Sequence, residues 1–531
     1  MKKTITLLAL LFSVFSFYAQ DPNILWQRTI GGSEGDFLLA SNKTSDGGFI
    51  LGGFSESDIS GDKTNASIGL TDFWIIKLDN VHNIEWQRTI GGFSDDRPYS
   101  ISQTIDNGYI IGGISNSNIS GDKSENCLGF TDYWVVKLDA FGAIEWENTI
   151  GAGDENIIDY EILESISQTS DGGYMLTGSS DNNTSGDKSE DSKGNVDFWS
   201  IKLSPTGIIE WEKTIGGSNF DAPHDIIQSN DDGFMLIGSS NSNISGDKTE
   251  DSRGSLDVWI IKLNSTFNIE WQKTIGGAGG DEGYRIKQTA DGGYILGCNS
   301  NSDISGEKSE NSYGDLDFWI LKIDNVGNIE WQKTIGGNDR EQIKSISQTN
   351  DGGYIIGGIS KSNLSGNKTE NSQGDEDFWL LKINNVGIIE WQNTIGGANF
   401  DGLYSLFQTN DNSFFLGGYS ASNISGDKTE NSRGEADFWI IKHAQTLSLE
   451  ENPFNTAITL YPNPTTNTLQ LNTQDKIINQ INIYTMTGSK VLQLDVDSIS
   501  PTLDVSSLAS GVYYIQFYSG KNVALKKFVK N

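Results

Sequence analysis

The chain has 531 residues and a formal net charge of −34, with 71 acidic against 37 basic side chains. The acidity sits in the body: residues 451–531 carry six lysines against five acids, whereas residues 4–450 carry 29 bases against 66 acids, a net of −37. Such a body repels nucleic acid and anionic membrane surfaces and draws cations and neutral or basic partners.

The chain opens on Lys2 and Lys3, an apolar run from Ile5 to Phe17, and small Ala19 before Gln20. That order is the pattern of a cleavable export leader, read as residues 1–20, and the run is shorter than the ~20 apolar residues a spanning helix needs. No cysteine stands near the cut to take a lipid, and no later stretch is apolar enough to cross a bilayer. The two cysteines, Cys127 and Cys298, fall at different positions of different repeats, so neither a disulfide nor a thiolate metal site is expected.

Residues 21–443 repeat seven times. Trp26, Trp86, Trp146, Trp211, Trp271, Trp331 and Trp391 head seven copies of a stretch like I-E-W-Q-K-T-I-G-G, and the other seven of the 14 tryptophans, from Trp74 to Trp439, sit in runs like D-F-W-I-I-K. The period is 60 residues, apart from one step of 65 between Trp146 and Trp211. Each unit holds four short strand candidates, in the second copy 100–104, 109–115, 132–138 and 144–150. The first two meet across Asp106-Asn107-Gly108, where most copies have D-G-G, the chemistry of a tight hairpin. Runs such as D-F-W-I-I-K-L are apolar on both faces, as in strands covered on both sides by neighbouring sheets.

Repeated four-stranded units of this kind predict an all-β, seven-bladed β-propeller. The chain starts with an outer-type strand (Ile24 to Ile30) that has no partner before it, and the last copy ends at Lys442 without one. The first strand is therefore expected to complete the last blade and close the ring.

Three polar columns recur in all seven copies: the Asp two residues before the second Trp (Asp72 to Asp437), the Lys three after it (Lys77 to Lys442), and the Asp that opens each hairpin turn (Asp46 to Asp411). Seven equivalent carboxylates cannot all line one reacting site, which needs two acids in different environments, so these columns read as architecture. The loop before each D-F-W strand, S-G-D-K-T-E-D-S-R-G at Ser245–Gly254, is rich in oxygens and kinked by glycine. Asp247, Glu250 and Asp251 are candidate ligands for a structural Ca²⁺, against the plainer reading of a self-packed acidic loop.

Function is expected where copies differ. Thirteen residues after each first Trp, allowing for the insertion, the copies read Leu39, Tyr99, Glu164, His224, Tyr284, Lys344 and Tyr404, and the next column includes Asp225 and Arg285. These positions enter the first strand of each blade, beside the central channel of a propeller. Tyr99, Glu164, His224, Asp225, Tyr284, Arg285, Lys344 and Tyr404 are the candidate ligand-binding residues, suited to sugars or peptides, with surface drift as the alternative. The third copy also carries the five-residue excess, around 154–160. Histidine is scarce (His82, His224, His443), and no metal-protease, nucleophile-elbow or phosphate-loop motif occurs. No catalytic residue is assigned.

After a linker, 444–457, the composition changes to short β segments. Residues 458–531 resemble the type A C-terminal sorting domain of the type IX secretion system of Bacteroidota. The matching residues are Tyr461-Pro462-Asn463-Pro464, the run I-Y-T-M-T-G-S-K that contains Gly488, the stretch L-A-S-G-V-Y-Y with Gly511 and Tyr513, and the basic end with Lys526, Lys527 and Lys530. The segment itself reads as a small β-sandwich. The resemblance implies passage of the outer membrane through the type IX machinery, with the product released or fixed at the cell surface. The repeats are also similar to D-G-G-Y-I-I-G-G repeat proteins of those bacteria.

The leading expectation is a monomeric secreted or surface binding protein for a glycan or protein, with no cofactor apart from the Ca²⁺ question. The alternatives are a glycoside hydrolase or lyase using Glu164 and Asp225, and a purely structural, Ca-stabilised surface protein.

Overall fold

The computed structural model describes residues 22–153, 161–445, 458–473, 476–485, 490–519 and 522–531. The leader, the 154–160 excess, Gly488 and linker residues 446–457 lie outside the described residues. The chain forms two compact units, Met1–Gln445 and Thr446–Asn531.

In the first unit every described element is a strand. Strands β2 (Asp36–Lys43), β3 (Phe49–Ser55), β4 (Asp72–Leu78) and β5 (Ile84–Ile90) form an antiparallel sheet in chain order. Five further sheets repeat that order, and a seventh joins both ends of the repeat region: β1 (Ile24–Ile30) pairs along β28 (Asp437–His443), beside β27 (Phe414–Ser420) and β26 (Asp401–Gln408). β2 packs against β26 and β27, and Ser41 Oγ donates to Ser405 Oγ at 2.8 Å. The fold is a seven-bladed β-propeller.

The core lies between blades, as strands apolar on both faces require. All seven residues of β4 are buried. One cluster joins Met235, Ile237, Val258 and Ile260 of one sheet to Ile286, Tyr294, Trp319 and Leu321 of the next. The hairpin turns behave as their residues dictate. The position after the turn Asp has positive φ whether it is Gly47 (86°), Asn107 (69°) or Asp232 (61°).

The polar columns are architectural. The turn Asp and the strand Lys pair within each blade at 2.7–3.1 Å, Asp46–Lys77 being the first copy. The Asp before the second Trp accepts backbone N–H groups of the preceding loop, as from Arg253 and Gly254 to Asp257.

The first strand of each blade departs from its expected bounds. In the second copy it runs Asp96–Gln103, opening four residues before the β-rich segment. Asp96 fixes that start, because its amide donates to Thr71 O and its carboxylate accepts Gly92 N. In the first copy an eight-residue β2 thus faces a seven-residue β3, and the surplus becomes a bulge between Leu38 and Ala40.

The second unit packs β29 (Thr459–Tyr461), β30 (Thr468–Asn472) and β33 (Thr502–Asp504) in one sheet, and β31 (Ile477–Thr485), β32 (Lys490–Ile499), β34 (Gly511–Ser519) and β35 (Asn522–Lys530) in another. Ile458, Leu469, Ile481, Ile515 and Phe528 share their core.

Candidate functional site

The channel is built from the first strands: β2, β6 (Asp96–Gln103), β10 (Ile162–Gln168), β14 (Asp221–Gln228), β18 (Asp281–Gln288), β22 (Glu341–Gln348) and β26. Residues of all seven line one pocket of about 330 Å³. In all seven the register breaks at the same place, and the residue skipped is Leu39, Tyr99, Glu164, His224, Tyr284, Lys344 or Tyr404. The column that varies among copies is therefore the bulged residue of every blade. A bulged residue has no partner opposite it in the ladder, and its side chain is re-aimed. All seven are half-buried, and six line the pocket.

The seventh, Tyr284, reaches the site through its neighbours. His224 stacks on it (centroids 4.5 Å apart, planes 7° apart), and Lys344 Nζ lies 5.2 Å from the ring of Tyr284 and 5.2 Å from that of Tyr404. Tyr404 and Tyr419 exchange a hydroxyl hydrogen bond at 3.3 Å.

Enclosure sets the electrostatics. Burial pushes the Glu164 carboxyl up to about 7, against the pull of Arg285 and Lys344. Burial, then Arg285 and Lys344, push His224 down to about 3, so its ring is neutral. Lys344 falls to about 8 through burial and then the like charges of Arg285 and Arg340. Burial raises Tyr99 and Tyr404, and raises Tyr284 to about 12.

The neighbouring column does different work. Asp225 is buried. Its carboxylate accepts Ser165 Oγ (3.0 Å) and Ile286 N (3.2 Å) from the two flanking strands and lies 3.5 Å from Lys287 Nζ. Ser345 Oγ likewise donates to Leu406 O. Asp225 lines the pocket, but as a tie between blades, so Glu164 and Asp225 are not two free carboxyls across a bond. Arg285 donates to Tyr284 O (2.9 Å) and His224 O (3.4 Å).

In the acidic loop the three candidate calcium ligands serve separate partners. Asp247 accepts Lys193 Nζ (2.7 Å) and Gly216 N (3.2 Å), Glu250 accepts Thr274 N (2.8 Å), and Asp251 accepts Ile244 N (2.9 Å). Among the described residues no group of three or more His, Cys, Asp or Glu side chains is placed to hold a metal. The loop instead wraps its own cation. Lys248 is buried, donates to Ser240 Oγ (2.9 Å) and Ser252 Oγ (3.2 Å), and lies 5.6 Å from the Trp259 ring. The same lysine is buried in all seven copies, from Lys63 to Lys428. Sequence reasoning passed over this column, although the lysine recurs as regularly as the acids around it. Cys127 takes the place of the loop serine and donates to Ser115 O and Ser117 O, and both cysteines are free.

In the tail, Asn463 accepts Val529 N and donates to Lys527 O, tying Tyr461-Pro462-Asn463-Pro464 to the last strand. Gly511 opens β34, and Tyr513 donates to Ala509 O and stacks on Phe528. Lys527 is exposed, Lys526 half-buried, and Lys530 buried with its amine on Asn531 O.

Residues 459–531 match the family described as the secretion system C-terminal sorting domain. The tail is a type IX sorting domain, and it marks the chain for the cell exterior or surface. Among the described residues no helix is long and apolar enough to cross a membrane. A search of curated proteins found no match. Among solved structures, hydrazine synthase of Kuenenia stuttgartiensis is similar at 10% identity and TM-score 0.43, covering 73% of this chain and 94% of that one. The BBS1N structure in complex with ARL6DN is similar at 8% identity and TM-score 0.40 (80% and 97% covered), and the Pseudomonas aeruginosa periplasmic gluconolactonase at 12% and 0.37 (67% and 84% covered). At these identities no shared ligand follows.

Proposed function

We propose that the protein is an exported, monomeric, non-catalytic binding module of a Bacteroidota cell surface or its surroundings, taking a glycan or protein segment in the propeller channel. The 1–20 leader would bring it to the periplasm, and the tail would engage the type IX machinery. One observation carries the binding reading: the residues freed by the bulge are those in which the copies differ, and they converge on one pocket. A scaffold that only repeated itself would have no use for Tyr, Glu, His and Lys at seven equivalent positions.

A glycan array and a peptide array, probed with the full chain, test the reading. Tyr99→Ala and Tyr404→Ala should weaken any hit about tenfold, since stacking contacts of this kind contribute on the order of 1 kcal/mol or more each. Blank arrays, or hits indifferent to both substitutions, would remove it. The hydrolase or lyase alternative is disfavoured by the ties on Asp225. Reducing-end release from a polysaccharide panel, abolished by Glu164→Gln, would reinstate it. The purely structural calcium alternative has to contend with a loop whose cation is already Lys248.

A further inference from the structure

Resting on the channel as a binding site, we propose that it selects an acidic saccharide, a sugar unit whose carboxylate is held by Arg285 and Lys344 while its ring lies against the tyrosines. The body of the chain is strongly acidic, yet among the described residues neither of these two channel cations has a carboxylate within 4.0 Å. The lysines that meet the hairpin turns differ in this respect. Lys262, for example, holds Asp231 at 2.9 Å, while a buried loop lysine such as Lys248 is satisfied by the hydroxyls of Ser240 and Ser252.

Arg285 spends one nitrogen on two carbonyls, leaving the other side of its planar fork to meet a carboxylate. Lys344 is held over the Tyr284 and Tyr404 rings with no ion pair among the described residues, and Arg285 is near enough to depress its basicity. An anion between the two relieves that repulsion. Of the acids that face the pair, Asp225 is bound to Lys287 and two neighbouring strands, and Glu282 and Glu164 act on Lys344 from beyond ion-pair distance. Glu164 is half-neutral near pH 7, and as a neutral carboxyl it donates a hydrogen bond to an incoming carboxylate rather than repelling it.

The rest of the lining includes Tyr99 and Tyr404, a set of serine hydroxyls such as Ser100, Ser165 and Ser345, and aliphatic side chains, so flat faces and hydroxyl groups are both available to a sugar ring. The pocket is at the small end of the ~300–1,000 Å³ range of ligand sites, which suits the end of an oligosaccharide. The acidic body disfavours a long polyanion lying across it.

The test is calorimetric titration of the full chain with digalacturonate and with its methyl ester. The acid should bind and the ester should bind at least tenfold more weakly, with about a tenfold loss in Arg285→Gln and in Lys344→Gln, the scale of a lost charge-assisted hydrogen bond. Arg285→Lys should recover part of that loss. Binding should take up a proton at Glu164 and weaken as pH rises through about 7. His224 is neutral there, Tyr99 and Tyr284 stay protonated, and Glu164→Gln should remove this dependence while leaving the one due to Lys344. Equal binding of acid and ester overturns the proposal but leaves the channel reading standing. Acid binding indifferent to Arg285→Gln and Lys344→Gln, in variants that melt like the parent, overturns both. Failure to bind either compound overturns the acidic saccharide alone, since the arrays judge the channel independently.

Discussion

Replacing Asp317 by Asn should stabilise the propeller relative to the parent as pH rises. Asp317 is fully buried, and one oxygen accepts Tyr313 N at 2.6 Å. Its Oδ1 is buried without a partner, against Gly336, whose neighbour Gly337 donates to Glu341 of the next blade. Burial, together with the Glu341 charge, pushes Asp317 from 3.8 up to about 6. The folded state therefore holds the proton more tightly than the unfolded chain does. The stabilisation is fully present below pH 3.8 and is lost as pH rises through about 6. A shift of this size corresponds to about 3 kcal/mol across the window, of which about 1.4 kcal/mol falls above pH 5. Asn keeps an acceptor for Tyr313 N and carries no charge to desolvate. Urea unfolding of parent and variant at pH 5 and pH 8 should show the variant gaining roughly 1–2 kcal/mol on the parent between the two. The paired measurement cancels any fixed cost of the amide. Parallel pH profiles would refute the argument. At the acid end, the half-exposed turn carboxylates Asp46 and Asp106, held down to about 2 by their threonine, lysine and backbone partners, work in the opposite sense. Their stabilisation is present above 3.8 and is lost as pH falls toward 2.

Three further outcomes are expected. Chelation by EDTA should leave the melting temperature unchanged, whereas Lys248→Met should cost on the order of 2 kcal/mol by removing the amine's hydrogen bonds to Ser240 and Ser252 and its attraction to Asp221 and Asp257; a large chelator effect with a tolerant Lys248 would restore the calcium loop. Deleting 24–30 should cost on the order of 5 kcal/mol in urea unfolding if β1 closes the ring, because it uncovers β28 and removes buried Ile30, and an unchanged midpoint would mean that the pairing with β28 contributes no closure. A chain lacking 459–531 should be retained inside cells that export the full chain, measured by immunoblot of medium and surface fractions; export without the tail would contradict its role as the address.

Much of the fold could be read from the residues because each requirement recurs seven times. Trp74 is fully buried in a strand covered on both faces, as D-F-W-I-I-K-L implies, and the turn glycines sit where positive φ demands them. Two things could not be read. A lysine in a loop of Asp, Glu and Ser looks solvated, because lysine rarely enters a core unpaired. Only folding shows the Lys248 loop closing over Trp259, so the acids drew attention and the cation did not. Asp225, which lines the pocket, carries a second role that the residues do not announce. As a lone acid in a varying column it resembles a functional group, yet its oxygens are committed to neighbouring strands.

The bulge explains why the copies vary at the positions proposed to bind. Each first strand is pinned at one end by the acid that opens it and at the other by the hairpin, with one residue too many between. That surplus residue has no ladder partner and is only half-buried, so a change there costs the fold less than one at a paired, buried position. In six of the seven copies it also lines the pocket. The seven surplus residues are not alike around the ring. Copies three to six supply Glu164, His224, Arg285 beside the bulge, and Lys344, whereas copies one, two and seven supply Leu39, Tyr99 and Tyr404. A scaffold with seven equivalent blades thus acquires a charged side and an apolar, aromatic side of one channel. On the proposed reading, a ligand with an anionic group and a flat face would have a single favourable orientation there, which is how a repeated fold can present an asymmetric site.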